Sequence, residues 1–229
     1  MRMLTGAAEP RTPEWDSVLP PWTGTLRWRL ETAGKTVMDL VGALVGLAVL
    51  SPLFLLIAVA IKIDSPGPVF HPMEWMGYRG RRFRGYKFRT MVRDAEELKQ
   101  ELMAFNEMSG PVFKMAEDPR ITRVGRFLRR TSLDELPQFY SVLCGDMSLV
   151  GPRPPGPHEY AEFKPHHKLK LAVLPGITCL WQVSGRSSIS DFDEWIKLDM
   201  QYIREWSLVL DIKLLFATIP AVVSARGAK

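Results

Sequence analysis

Residues 37–61 read VMDLVGALVGLAVLSPLFLLIAVAI, and this apolar stretch decides what kind of fold the chain adopts. At ~1.5 Å per residue, a helix over this stretch is long enough to cross the ~30 Å apolar core of a bilayer. Ser51 and Pro52 lie near its middle, where a proline removes a backbone hydrogen bond and bends a helix. The stretch therefore predicts a membrane helix that breaks at Ser51 and Pro52. We expect the Ser51 hydroxyl to bond a backbone group that the break frees.

The charges around this stretch leave its path open. Lys35 precedes it, Asp39 lies near its start, and the basic residues 79–84 follow it. Because basic residues lie on both sides, the positive-inside rule does not predict an orientation for a spanning helix. From the residues alone, a re-entrant helix and a spanning helix stay open, with a buried helix of a soluble core as a third alternative.

The composition limits the class of protein. The chain has 229 residues, and its 46% hydrophobic content is ordinary for a globular protein, which excludes a polytopic membrane protein. With 30 Lys and Arg against 25 Asp and Glu, the net charge of +5 suits phospholipid, phosphorylated or nucleic-acid partners. Cys144 and Cys179 predict neither a disulfide framework nor a zinc site. No histidine shows metal-ligand spacing, and we expect His166 and His167 in a solvated loop.

Three segments follow from these patterns. Residues 1–34, rich in proline and tryptophan, predict a partly ordered arm, whose tryptophans either sit at a membrane interface or belong to a poorly ordered tail. Residues 35–63 form the membrane segment. Residues 64–229 alternate short strands with amphipathic helices, which predicts a helix-rich mixed α/β domain. A final apolar helix over residues 208–223 carries a lysine and a proline, so we expect it on the membrane surface or packed on the domain.

Two adjacent acids form the most unusual polar feature of this domain. Pro137 is tolerated only in the opening turn of a helix, so Asp134 and Glu135 lie in a first turn, where the helix dipole favours carboxylates. With Ser132, the pattern is typical of a capping box that serves stability alone. A basic helix precedes the pair and brings Arg129 close to it, as expected where a carboxylate meets an anionic substrate.

Several further polar residues occur where a ligand could bind. Lys87 and Arg89 share one face of the return strand of a hairpin, and they face either a phosphate or lipid headgroups. Arg153 stands in a proline-rich loop that holds it rigidly. We expect the strand after Pro175 to continue through Gln182 to Val183. Asp199 lies on the apolar face of a helix, so it has to be paired or functional.

These residues stand in an order that resembles the bacterial sugar transferases, the monotopic polyprenyl-phosphate glycosyl-1-phosphate transferases. The resemblance runs from about Lys35 to Lys229. The motifs that carry it are Lys35 and Asp39, Ser51-Pro52, Tyr86-Lys87-Phe88-Arg89-Thr90-Met91, Leu133-Asp134-Glu135-Leu136-Pro137-Gln138, the stretch from Gly145 to Pro154, Pro175-Gly176-Ile177-Thr178, Gln182-Val183-x-Gly185-Arg186, and Leu198-Asp199.

The resemblance implies a reaction and roles for the two acids. Asp134 is implied to attack the β-phosphate of a UDP-sugar, release UMP and carry the sugar phosphate covalently, in a ping-pong route. Polyprenyl (undecaprenyl) phosphate then accepts the phosphosugar, the first membrane step of exopolysaccharide, capsule, O-antigen or glycan assembly. Glu135 is implied as the ligand of Mg²⁺. The predicted substrate and phosphate site consists of Lys87, Arg89, Arg129, Arg153, Gln182, Arg186 and Asp199.

The resemblance also implies a place in the cell. Residues 35–63 would form a re-entrant hairpin broken at Ser51 and Pro52. Residues 64–229 would form a cytosolic catalytic domain on the cytoplasmic face of the cell inner membrane. The implied partners are the UDP-sugar, the polyprenyl phosphate and membrane lipids, without nucleic acid; a homodimer is compatible. The chain departs from the family pattern at Met73 and Trp75, and at Cys179.

Two other functions fit parts of the pattern. A polyprenyl-diphosphate phosphatase would release inorganic phosphate and need no UDP-sugar. A non-enzymatic basic membrane protein that tethers nucleic acid or an acidic polymer would bind in a strongly salt-dependent way. The tether leaves Asp134, Glu135 and Asp199 unexplained, because acids in the binding face would repel the polymer.

Overall fold

The fold is a long N-terminal helix packed on a small helix-rich domain. The computed structural model describes residues 14–107, 115, 117–184 and 191–223. Its α-helices are α1 (Leu26–Asp64), α2 (Ala95–Leu102), α3 (Arg123–Arg130), α4 (Phe139–Leu143), α5 (Pro157–Glu162), α6 (Pro165–Lys168), α7 (Leu180–Val183), α8 (Phe192–Glu205) and α9 (Leu208–Val223). Its strands are β1 (Phe70–Met76), β2 (Arg82–Phe88), β3 (Ser148–Val150) and β4 (Gly176–Thr178). Short 3-10 helices cover Trp15–Val18, Tyr78–Gly80, Met103–Phe105, Leu133–Gln138 and Leu169–Ala172. The predicted class, helix-rich mixed α/β, is confirmed.

The helix α1 runs without interruption for 39 residues and contains Pro52. The Ser51 Oγ donates to the carbonyl oxygen of Ala48 at 2.8 Å. That carbonyl is the acceptor that loses its backbone N–H partner at Pro52, because proline has no N–H. The predicted role of the Ser51 hydroxyl is confirmed. The helix nevertheless continues across Ser51 and Pro52, where we expected it to be interrupted.

One face of α1 is apolar and exposed, and the other packs on the domain. Within the described chain, α1 is the helix long and apolar enough to cross a membrane by length and composition, and its most apolar window is only 11% buried. Glycines let the inner face approach closely. A Cβ at Gly42 would lie 2.6 Å from Leu149, and one at Gly46 would lie 3.2 Å from the Phe139 ring.

A buried polar network fixes the first half of α1 to the domain. The Lys35 ammonium lies 2.6 Å from the carboxylate of Asp211 in α9, which is fully buried. Asp211 also accepts from the Tyr202 hydroxyl at 2.7 Å and from the Trp206 indole N–H at 3.1 Å. The Asp39 carboxylate accepts from a backbone N–H of β3 at 3.0 Å. Because each buried charge has partners, the network holds α1 against the strand that leads into the Arg153 loop.

Two small sheets organise the domain. β1 and β2 are antiparallel, with Phe70 opposite Phe88 and Trp75 opposite Phe83, which confirms the predicted hairpin. β3 and β4 are parallel, with Ser148 opposite Gly176. The strand that we predicted through Val183 is wrong beyond β4, because the chain turns into α7 where the short partner strand β3 has ended.

The N-terminal segment contacts the domain. α1 begins at Leu26, inside the segment that we predicted as an arm, and residues 14–25 precede it. The Trp22 ring stacks on Trp206 at 5.7 Å and meets Trp28 edge-on at 5.4 Å. The described tryptophans of this segment therefore pack against the protein, where they bury apolar area next to the Asp211 network.

Candidate active site

The two adjacent acids lie in a tight turn between α3 and α4. The 3-10 helix Leu133–Gln138 carries Asp134 and Glu135 in its first turn and Pro137 in its interior. The predicted helix start is thus confirmed, but Ser132 makes no capping bond from its side chain and has a left-handed backbone, with φ of 56°. The capping-box interpretation is therefore wrong. Gly145, with φ of 77°, follows the end of α4 as predicted.

Cations from β2 and α3 reach this turn. The Lys87 ammonium lies 2.6 Å from Oε1 of Glu135. Arg129 donates from Nε to the Thr90 hydroxyl at 3.0 Å, and its charge acts on the Asp134 carboxyl. Arg129 therefore places a guanidinium beside the acid turn. Arg129 lies close to the acids because α3 ends at Arg130, directly before the turn.

Asp134 is buried beside these charges, with 8% of its surface exposed. Burial raises the pKa of the Asp134 carboxyl to about 6, and the negative charge of Glu135 acts in the same direction. Lys87 and Arg129 oppose the rise because their positive charges favour the ionised form. At neutral pH the carboxylate is therefore ionised, poorly hydrated and next to two cations, which is the environment of an activated nucleophile.

A narrow cleft adjoins the turn. Its lining residues combine cations, an acid, amides and aromatic or backbone surface: Trp75, Lys87, Glu135, Gln138, Arg153, Pro154, Gly176, Ile177 and Gln182. The Arg153 guanidinium lies 5.5 Å from the Trp75 ring centre and 5.7 Å from the Trp195 ring centre. Its nearest acid, Glu159, is 3.8 Å away. Rings on two sides hold Arg153 in place, so its donors can meet a phosphate.

The structure explains two departures from the family pattern. Trp75, 2% exposed, supplies a ring that both Lys87 and Arg153 approach within 5.5 Å. The Cys179 thiol donates to the amide oxygen of Gln182 at 3.2 Å. Cys179 therefore orients an amide that lines the cleft, and Trp75 positions two of its cations.

Other predicted site residues lie elsewhere. Arg89 donates to the backbone carbonyls of Ser65 and Pro66, so the structure does not bring it to the acids. β2 ends at Phe88, and the strand alternation that put Arg89 beside Lys87 ends with it. Arg186 lies outside the described residues. Ser51 and Pro52 lie within α1, away from the cleft lining.

Asp199 is buried behind the cleft rather than in its lining. It is 1% exposed, and its carboxylate lies 2.6 Å from the Lys170 ammonium. Lys170 also lies 5.2 Å from the Trp195 ring centre. Asp199 is therefore paired, which is one of the two alternatives that its place on an apolar face predicted. Lys170 was not predicted from the sequence, and only its place between Leu169 and Leu171 could have indicated that it is buried.

The histidine prediction is wrong for His167. This residue is 5% exposed, and its Nε2 lies 2.8 Å from the Asp193 carboxylate. The His167 Nδ1 accepts from the backbone N–H of Lys164 at 3.3 Å, so Nε2 carries the proton and donates. His166, His167 and Asp193 could hold a metal by proximity alone. Both His167 nitrogens are occupied in hydrogen bonds, however, and the cluster ties α6 to α8.

The site thus combines a buried carboxylate with several cations, in a domain on which the exposed apolar helix α1 packs. The sequence pattern described as bacterial sugar transferase matches residues 30–225. The chain belongs to this family, and the resemblance seen in its motifs is confirmed.

Relatives of the chain carry related names. It is 49% identical to a galactosyl transferase, CpsE, of Streptococcus agalactiae over 195 residues, which are 85% of this chain and 43% of the relative. It is 39% identical to the exopolysaccharide production protein ExoY of Rhizobium meliloti, covering 92% of this chain and 94% of that one. An undecaprenyl-phosphate galactose phosphotransferase of Salmonella typhimurium is 41% identical, over 85% of this chain and 41% of the relative. The chain thus spans less than half of two of these proteins and nearly all of ExoY.

Proposed function

We propose that the protein transfers a sugar 1-phosphate from a UDP-sugar to polyprenyl (undecaprenyl) phosphate and releases UMP. The observation that carries the proposal is the buried Asp134 carboxylate, whose charge is balanced by Lys87 and Arg129. A nearby relative is named for phosphotransfer to undecaprenyl phosphate, and ExoY, which this chain covers almost end to end, is named for exopolysaccharide production. We infer the same lipid acceptor and the first membrane step of polysaccharide assembly.

In the first half-reaction, an Asp134 carboxylate oxygen attacks the β-phosphorus of the UDP-sugar. A bond forms between this oxygen and phosphorus, and the bond from phosphorus to the oxygen that bridges the two phosphates breaks. UMP leaves with that electron pair. In the second half-reaction, a phosphate oxygen of the polyprenyl phosphate attacks the same phosphorus, and the Asp134 carboxylate leaves. The products are a polyprenyl diphosphate sugar and a free carboxylate.

The cations around the cleft support this chemistry. Phosphoryl transfer is catalysed mainly by positioning and by compensation of negative charge. Arg129 and Lys87 lie on the side of the acids, and Arg153 is held between Trp75 and Trp195. A diphosphate that reaches from Asp134 towards Arg153 would have a cation at each end. Gln138 and Gln182 add amide groups to the same lining.

The carboxylates also fit Mg²⁺, which takes oxygen ligands and keeps several waters. We assign Glu135 as its ligand, because its side chain is 22% exposed and lines the cleft. Bound Mg²⁺ would compensate the charge of the diphosphate. Lys87 lies 2.6 Å from Glu135, so it holds the Glu135 carboxylate at the edge of the cleft towards the donor.

We further propose that the protein is monotopic and acts at the cytoplasmic face of the inner membrane. Both halves of α1 contact the same domain: Lys35 pairs with Asp211 near its start, and Asp64 accepts from the backbone N–H of Val124 at its end. A helix anchored to one domain at both ends would enter and leave the bilayer on one side. Pro52 in the middle of α1 lacks an N–H and weakens the helix there, which favours the bend that a re-entrant path needs.

The decisive experiment incubates purified protein in lipid nanodiscs with Mg²⁺ and a panel of UDP-sugars, and measures UMP. We expect stoichiometric UMP release without acceptor and turnover with undecaprenyl phosphate. The Asp134→Asn variant should release none. Release of inorganic phosphate from undecaprenyl diphosphate, without any need for a UDP-sugar, would instead identify the phosphatase. Binding of acidic polymers that does not depend on Asp134, with no UMP released, would identify the tether.

A further inference from the structure

An open groove lies between the second half of α1 and α3. It has a volume of about 420 Å³. Its lining is apolar except for one arginine: Leu53, Leu56, Ile57, Ala60, Arg123, Val124, Phe127 and Leu128. The residues from α1 recur every three or four positions, so they form one face of that helix. The groove opens on the exposed apolar side of α1, where Leu56 has 67% of its surface exposed.

The floor of the groove is continuous with the turn that carries the acids. Ile57 and Leu128 are buried and belong to one hydrophobic cluster, to which Leu133 and Leu136 are packed. These two leucines flank Asp134 and Glu135 in the turn. A molecule in the groove would therefore touch the same cluster that supports the nucleophile.

The helix α3 joins apolar surface and positive charge. Its groove-facing side carries Val124 and Phe127, and Arg123 lines the groove. The same helix ends in Arg129 and Arg130, directly before the turn with the acids. An apolar chain in the groove and an anionic head near the last turn of α3 would both find complementary surface on this one helix.

We propose that this groove binds the isoprenoid chain of the acceptor and delivers its phosphate to the phosphosugar on Asp134. The inference rests on the proposed function and adds to it the place where the lipid is recognised. The groove is open to the side that α1 exposes to lipid, so the chain can enter sideways from the bilayer. Burial of apolar chain against Ile57, Phe127 and Leu128 favours a long acceptor over a short one.

Adjacent leucines of α1 provide a matched pair of variants. Leu55 and Leu56 are each 67% exposed, but only Leu56 lines the groove. Leu56→Trp fills the groove, whereas Leu55→Trp places the same indole on lipid-facing surface. The measurement is the ratio of kcat/KM for undecaprenyl phosphate to that for geranyl phosphate, in nanodiscs of fixed lipid composition. UMP release without acceptor reports the first half-reaction in both variants.

We expect Leu56→Trp to lower this ratio by roughly tenfold, because part of the apolar contact with the long chain is lost. Leu55→Trp should keep both the ratio and the UMP release of the unmodified protein. An equal loss in the two variants, or no change in Leu56→Trp, would overturn the proposal. Loss of UMP release in the unmodified protein would instead count against the proposed function.

Photolabelling tests the groove without relying on turnover. A polyprenyl phosphate with a diazirine on its chain is irradiated with the full-length protein, and the labelled peptides are identified by mass spectrometry. We expect labels on α3 around Phe127 and on α1 around Leu56, which excess undecaprenyl phosphate removes. Labelling that excess phosphatidylglycerol removes equally well would identify ordinary bilayer contact and refute the assignment, as would labels confined to the rest of α1.

Discussion

Replacing the buried carboxyl of Asp134, the proposed nucleophile, should make the protein inactive and more stable at the same time. In Asp134→Asn an amide takes the place of the carboxyl and has the shape of its protonated form. The pKa of Asp134 rises from the usual 3.8 to about 6 because the carboxylate is buried. A raised pKa means that the fold disfavours the ionised form. The free-energy cost of burying the ionised Asp134 carboxylate is therefore fully present above pH 6. It is absent below the pKa that Asp134 has in the unfolded chain.

The size of the effect follows from the same pKa. A difference of one unit between the pKa of a group in the folded protein and its pKa in the unfolded protein corresponds to about 1.36 kcal/mol. A rise of about two units therefore corresponds to about 3 kcal/mol at pH 8. For a protein of this size, that raises Tm by roughly 6–12 °C. Near pH 4 the difference should become small, because the folded wild-type protein then binds the proton and a large share of the unfolded chains do so too.

The assay is thermal unfolding in nanodiscs, followed by circular dichroism at several pH values between 4 and 8. Glu135→Gln is the matched control, since it also removes one carboxylate from the turn. Glu135 lies 2.6 Å from Lys87, so Glu135→Gln removes an ion pair. The Tm of this variant should therefore equal that of the wild type or be lower. If the Tm of Asp134→Asn at pH 8 does not exceed that of the wild type, Asp134 is not held ionised in a desolvated site, and our reasoning about its activation fails.

Three further predictions follow from the site and the α1 network. Removal of divalent cations with EDTA should reduce UMP release by at least about 100-fold, because the diphosphate then loses its metal. Added Mg²⁺ should restore UMP release. Full activity in EDTA would refute the assignment of Glu135 as a metal ligand. UMP release in excess Mg²⁺ should fall as the pH drops through a midpoint at or below about 6, as Asp134 is protonated; a midpoint near 8 would contradict this. Lys35→Met should lower the unfolding free energy by about 3–5 kcal/mol, because Asp211 is left buried without its cation. Asp211→Asn in the same chain should recover part of the loss, and a Lys35→Met protein as stable as wild type would argue against the network.

Local features were predictable from the sequence. The hairpin over β1 and β2 follows from alternation around a glycine-rich basic loop, and the acid turn follows from Pro137. The Ser51 hydroxyl bond was also predictable, because proline always frees the carbonyl four residues earlier. Each of these depends on residues within a few positions of one another, where local chemistry decides the outcome.

Features that depend on distant partners were not predictable. Lys170 and Asp199 meet only because the 3-10 helix Leu169–Ala172 packs on α8, and the pattern on either element cannot name the other. Arg89 was assigned to a phosphate by strand alternation, yet the turn at Ser65 offers it carbonyls. His167 looked like a solvated loop residue until α8 brought Asp193 to it. In each case a tertiary contact overrode a local rule.

We propose a covalent bond between Asp134 and the sugar phosphate. It is tested most directly by incubating the protein with its UDP-sugar and Mg²⁺ without acceptor, quenching, and mapping the adduct by mass spectrometry. We expect one phosphosugar on the peptide that contains Asp134, lost on addition of undecaprenyl phosphate and absent in Asp134→Asn. UMP release without any adduct, or an adduct that stays in Asp134→Asn, would contradict the account.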